Sequence, residues 1–153
     1  MTLKEYELLQ IANRIMLNNS HLNPALTGSL MLSIRNIDKR RDAKDIDILV
    51  NDLNTVNCIE GMDQKTPVYP DSVRYVIGEL HIDFLPCINE NIELVNNVRC
   101  GSVENMLNAK YKYYTEDKIG TSSKKHFEDL QFMGFTFPEI PVTNNNTVDD
   151  LPW

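Results

Sequence analysis

Residues 25–50, ALTGSLMLSIRNIDKRRDAKDIDILV, carry the pattern from which the rest of the chain is read. An apolar run ends at Gly28-Ser29, a short helical pattern and a basic loop follow, and then two aspartates alternate with isoleucines in Asp45-Ile46-Asp47-Ile48. On a strand, successive side chains alternate between faces, so Asp45 and Asp47 are expected on one face and Ile46 and Ile48 on the other. Two neighbouring carboxylates raise each other's pKa unless a cation lies between them, and hard divalent ions such as Mg²⁺ select carboxylate oxygen. Gly28 permits a tight strand-to-helix turn with close backbone approach. Ser29 opens the helix, where free N–H groups attract phosphate. The stretch reads as a phosphate cradle beside a metal clasp.

Composition limits what else the chain holds. Its 153 residues, 42% hydrophobic and 24% charged, suit one soluble globular domain able to bury a core without disulfides. Neither a basic-then-apolar leader nor an apolar run of about 18 residues is present, so a cytoplasmic protein with no membrane partner is expected. Cys58, Cys87 and Cys100 lack metal or disulfide spacing and read as idle thiols. A net charge of −7 disfavours a broad basic face for long nucleic acid. Locally, Arg35, Lys39, Arg40, Arg41 and Lys44 outnumber Asp38 and Asp42. That segment is either a solvated loop or one that draws a triphosphate or an RNA end over the aspartates.

Outward from the central stretch, Thr2 and Glu5 fit a capping box, and Leu8, Ile11, Ala12 and Ile15 give the helix behind it an apolar face. His21 reads as a surface residue in a polar link. A first strand is expected over 24–27, with Leu30, Met31 and Ile34 on the buried side of the next helix. Residues 51–70 suggest a loop with a helical turn near Val56. VRYVIGELHIDFL, 73–85, is one bent strand or a hairpin turning at Gly78-Glu79; either way Leu80, Ile82 and Phe84 oppose His81 and Asp83. Asp83 alone would suit the wet side of an antiparallel sheet, as would His81. Residues 90–100 read as a polar linker. Ser102 suits the N-cap of a helix to about Tyr114, a loop with Gly120 follows, and Phe127, Leu130 and Met133 stripe a last helix; this pair is expected to cover one face of the sheet. Residues 134–153 form an expected extended acidic tail after a domain of 1–133.

A Gly-Ser turn followed by a helix, a loop and Asp-x-Asp on an apolar strand resembles the nucleotidyltransferase superfamily that shares the DNA polymerase beta catalytic core. The run TGSLML...RRDAKDIDILV looks most like the toxin-type enzymes of AbiE-like abortive-infection systems and their small stand-alone relatives, over roughly residues 24–133. The resemblance implies a small mixed or antiparallel sheet covered by helices, with a C-terminal helical pair. It makes Asp83 the third catalytic carboxylate, so that Asp45, Asp47 and Asp83 would hold Mg²⁺ or Mn²⁺, with Gly28, Ser29, Arg41 and Lys44 on the nucleotide. VENMLNAKYKYY and KKHFEDLQFM resemble the family's lysine and closing acidic motifs, matching Lys110 and Asp129, with Lys112 and Asp117 as near alternatives and His126 as a weaker phosphate contact. The implied activity moves a nucleoside monophosphate from a nucleoside triphosphate to a hydroxyl of RNA, protein or a small molecule. RNA in a toxin or anti-phage setting leads, and a catalytically weak nucleotide-binding or interaction module is the alternative. The tip Asp149-Asp150-Leu151-Pro152-Trp153 is similar to the C-terminal tip of bacterial single-stranded-DNA-binding proteins, which implies a protein partner.

Overall fold

Helix α1 (Leu3–Asn18) opens on the expected capping box: Thr2 accepts from the Glu5 N–H, and Glu5 accepts from the Thr2 N–H at 3.0 Å. Its apolar stripe buries Leu8, Ala12 and Ile15, leaving Ile11 half-buried. A 3₁₀ turn (Ser20–Leu22) then leads to strand β1 (Ala25–Thr27) and helix α2 (Gly28–Ile34), whose Leu30, Met31, Leu32 and Ile34 are buried. The computed structural model describes residues 1–67, 69, 71–88, 90–116 and 122–138. Asp117, Gly120 and the tip Asp149, Asp150, Leu151, Pro152 and Trp153 lie outside the described residues.

Strand β2 (Ile46–Val50) starts one residue later than the Asp-x-Asp reading suggests, so Asp45 is a bend residue at its mouth and only Asp47 stands on the strand. A 3₁₀ turn (Leu53–Thr55), capped by Asp52, supplies the helical turn expected near Val56. Strand β3 (Asp63–Lys65) then pairs with β4 (Val73–Ile77), an element absent from the sequence reading. All three residues of β3 are exposed, which leaves no apolar alternation to see. The 73–85 alternative resolves as a hairpin of β4 and β5 (Leu80–Pro86), with Gly78 at φ +59° in a two-residue turn.

Residues 90–100 are not a linker. They contain a hairpin of β6 (Glu93–Val95) and β7 (Val98–Cys100), whose turn residues Asn96 and Asn97 both adopt left-handed backbone, φ 50° and 64°. That conformation is what a tight two-residue hairpin turn requires, and asparagine tolerates it. The described strands form one mixed sheet of an α+β fold, in the order β3-β4-β5-β2-β1-β7-β6, with β2 parallel to β5, β1 parallel to β7 and the other pairs antiparallel. One face of its centre packs Ile46, Ile48, Ile82 and Phe84, all fully buried, and Tyr75 meets Phe84 edge-on at 5.7 Å.

Met1–Met106 form one compact unit and the residues from Leu107 another. Helix α3 (Val103–Glu116) starts on the expected Ser102 cap, whose Oγ accepts from the Asn105 N–H at 3.1 Å. In the second unit, α4 (Ser122–Phe132) ends at Gly134, φ +72°, and Tyr111, Tyr114 and Phe127 make ring contacts with one another or with Phe135 and Phe137. Phe135 and Phe137, placed by sequence in the tail, are thus packed side chains within that unit. Among the described residues, no helix is long and apolar enough to cross a membrane.

Candidate active site

Directly paired residues on neighbouring strands point to the same face of a sheet, so the register of the central strands decides which polar groups meet. Thr27 pairs with Asp47, Asp47 with Asp83, Asp83 with Arg74 and Arg74 with Lys65. These five side chains therefore lie in one line across the face opposite the Ile46, Ile48, Ile82 and Phe84 core. The core pins the strands from behind, and a slip of one residue would send the aspartates into it.

Gly28 stands where the expected close approach requires a glycine. Its φ is +72°, and a Cβ built there would collide with the Asp47 carboxylate and lie 3.0 Å from Asp47 Cγ. Gly28, Asp47 and Asp83 are thus brought to one place, with Ser29 next in α2 and Asp45, exposed, at the mouth of β2. Lys44 is exposed and Arg41 half-buried in the segment just before β2.

Arg74, which no motif in the sequence singles out, also belongs to this line. Its Nε donates to Asp83 Oδ1 at 2.7 Å and its Nη2 to Asp83 Oδ2 at 2.8 Å, a two-pronged pair with the Asp83 side chain 9% and the Arg74 side chain 16% exposed. The hydrogen bonds to Asp83 raise the Arg74 pKa above its ordinary value against the effect of burial, and the charges of Asp83, Asp45 and Asp47 raise it further. All three expected metal ligands thus act on one guanidinium. Among the described residues, no group of three or more His, Cys, Asp or Glu side chains is gathered closely enough to hold a metal ion. The three aspartates fit a divalent cation in kind, as hard oxygen donors, with Asp47 and Asp83 on one face of the sheet and Asp45 at the mouth of β2; both Asp83 oxygens are meanwhile engaged by Arg74.

Arg35 and Lys39 of the basic segment have structural roles. Arg35 donates to the Gly101 carbonyl at 2.7 Å and lies 3.7 Å from Glu93. Lys39 lies 2.9 Å from Glu5, which is 1% exposed. Glu5 Oε2 also accepts from the Ser33 hydroxyl and from the Ala43 N–H at 3.0 Å, so one carboxylate ties α1 to α2 and to the run that leads into Asp45. Burial alone would raise the Glu5 pKa. Hydrogen bonds from Ser33, Thr2, Lys39 and Ala43 outweigh it and hold the carboxyl far below the usual range. The capping box signals half of this role, and nothing local to residue 5 signals the rest.

Lys110 and Asp129 belong to the second unit. There they pair with each other, Nζ to Oδ2 at 3.0 Å, joining α3 to α4 with Asp129 7% exposed.

No family model matches the chain, and no curated protein does. Solved structures do match. The chain is similar to a lincosamide antibiotic adenylyltransferase with lincomycin bound, at 14% identity and a TM-score of 0.49, covering 87% of this chain and 98% of that one. It is similar to an antigenic nucleotidyltransferase-like protein from Paracoccidioides brasiliensis, at 11% identity and a TM-score of 0.49, covering 84% and 74%. It is also similar to a candidate nucleotidyltransferase from H. pylori, at 13% identity and a TM-score of 0.46, covering 87% and 69%.

Proposed function

We propose that the chain is a nucleotidyltransferase, transferring a nucleoside monophosphate from a triphosphate to a hydroxyl acceptor. The observation that carries this reading is the line of Thr27, Asp47, Asp83 and Arg74 beside a glycine turn that admits the Asp47 carboxylate and no Cβ. In it, Asp45, Asp47 and Asp83 would hold Mg²⁺ or Mn²⁺, which when bound offsets charge on the triphosphate and on the departing pyrophosphate. Backbone N–H groups at Gly28 and the Ser29 hydroxyl would bind terminal phosphate oxygens, with Lys44 and Arg41 adding positive charge from the preceding segment. Asp83 would accept the proton of the attacking hydroxyl as its oxygen bonds to the α-phosphorus, and the bond from that phosphorus to the β-phosphate oxygen breaks to release pyrophosphate. Lys110 and Asp129 are proposed as further nucleotide contacts on the strength of the motif resemblance. RNA in a toxin or anti-phage setting is the leading acceptor on the same ground, with a protein hydroxyl and a small molecule as the alternatives.

Labelled triphosphates offered with total RNA and with total protein test the reading. Transfer by the native chain and its abolition in the folded Asp45→Asn/Asp47→Asn double variant are expected; equal transfer by both would contradict it. A second reading, a nucleotide-binding or interaction module without useful turnover, is favoured by the Arg74 fork, which neutralises the third carboxylate. Metal-dependent triphosphate binding with no product after long incubation would select that one.

A further inference from the structure

The Arg74–Asp83 pair raises a question that the proposed activity leaves open. A cation-binding carboxylate is ordinarily oriented by a group that leaves one oxygen for the metal, yet here both oxygens of Asp83 accept from one guanidinium. Arg74 reaches it across the β4–β5 hairpin from the directly opposite position. Three aspartates act on that guanidinium, so together the four groups carry net negative charge and one protein-borne cation.

We propose that Arg74 is an exchangeable counter-ion: it holds Asp83 until a divalent cation takes that carboxylate, and the freed guanidinium then engages the phosphate oxygens of the triphosphate. Three observations support it. The pair is largely but not wholly buried, the Arg74 side chain 16% and the Asp83 side chain 9% exposed, so neither side chain is sealed from solvent. A guanidinium fork fits phosphate as well as it fits carboxylate, so the same two donors serve either partner. A largely buried carboxylate is costly without a counter-charge, so metal and arginine can replace one another at Asp83, whereas loss of both is penalised. Loading of metal and of nucleotide are coupled in consequence: metal frees the arginine, and the arginine, once freed, favours an anion.

This inference rests on the reading above for the place of metal and triphosphate, and its test is read without turnover. Mn²⁺ is titrated into the full-length chain without nucleotide, with free Mn²⁺ followed by its electron paramagnetic resonance signal. Arg74→Gln should bind Mn²⁺ on the order of tenfold more tightly than the native chain, since the competing charged hydrogen bonds are gone. It should melt below the native chain without metal and regain more of its melting temperature on adding Mn²⁺. With Mn²⁺ present, its affinity for a non-hydrolysable triphosphate should fall. An Asp83→Asn background should erase the effect of the arginine change on Mn²⁺ affinity. If Arg74→Gln does not fold, Arg74→Lys keeps the charge without the fork and should show a smaller tightening of the same sign.

A pair that serves only stability would lower the melting temperature and leave Mn²⁺ affinity unchanged; that result, or weaker Mn²⁺ binding in the variants, overturns the proposal. Failure of label transfer with tighter Mn²⁺ binding in Arg74→Gln would count against the enzyme reading while supporting the exchange.

Discussion

At Gly28 the backbone runs at φ +72° and a Cβ would meet the Asp47 carboxylate, so Gly28→Ala carries two penalties. Left-handed backbone costs an alanine about 1–2 kcal/mol, and displacement of Asp47 adds to it. The urea midpoint should drop accordingly and nucleotidyl transfer should be lost; an unchanged midpoint would refute the contact. Glu5 gives a pH prediction. Its folded pKa lies below that of the unfolded chain, so its contribution is complete above the ordinary glutamate pKa of about 4.3 and is lost as pH falls through that value toward the lowered one. Glu5→Gln should cost about 3 kcal/mol at pH 7 by stranding Lys39 and the Ala43 N–H. Its stability should fall less steeply than the native chain's between pH 5 and pH 3 in urea titrations, and parallel curves would contradict the assignment. Gly28, Asp47 and Asp83 were legible because each breaks a local pattern: a glycine at a turn, carboxylates in apolar strands. Arg74 was legible only in principle, since pairing outward from the Gly78-Glu79 turn places it opposite Asp83. With the bent-strand alternative still open, that register could not be used.

Longer elements with a buried face announced themselves; β7, which buries Val98 and Cys100, did not, because three residues are too few for alternation to register. α1 showed helical spacing because it buries one side, and β2 and β5 showed alternation around Asp47 and Asp83; α2, in which Leu30 to Ile34 are all buried, was marked by its apolar residues rather than by a one-sided stripe. β3 is exposed throughout and β6 nearly so; their pairing comes from backbone hydrogen bonds to a neighbour, which leave no mark on side-chain polarity. The β6–β7 turn did leave one, in the dipeptide Asn96-Asn97 with both φ positive. Asparagine-glycine is the preferred pair for such a turn, so Asn97→Gly should stabilise the chain by up to about 1 kcal/mol and Asn97→Val should destabilise it by about as much or more. Thermal melts of the two variants should move in opposite directions. Movement in the same direction would mean that the turn does not set the register there.

At the scale of the molecule, the seven strands among the described residues form a mixed sheet with the parallel β2–β5 pair at its centre, and that pairing brings Asp47 and Asp83, 36 positions apart in sequence, to adjacent places. Sequence alone could propose the two carboxylates as partners only through resemblance, because no local signal encodes a parallel pairing at that separation. The net charge of −7 is compatible with the proposed site, since there the charge of a triphosphate would be met locally by metal and by Arg74 rather than by a broad basic surface. The central claim is that the bond made is to the α-phosphorus. Incubation of the native chain with total RNA, Mg²⁺ and a nucleoside triphosphate labelled in parallel at the α- or the γ-phosphate tests it most directly. The account predicts α-label joined to the acceptor and γ-label released as pyrophosphate. Label entering the acceptor from the γ-position, or free phosphate in place of pyrophosphate, would contradict it.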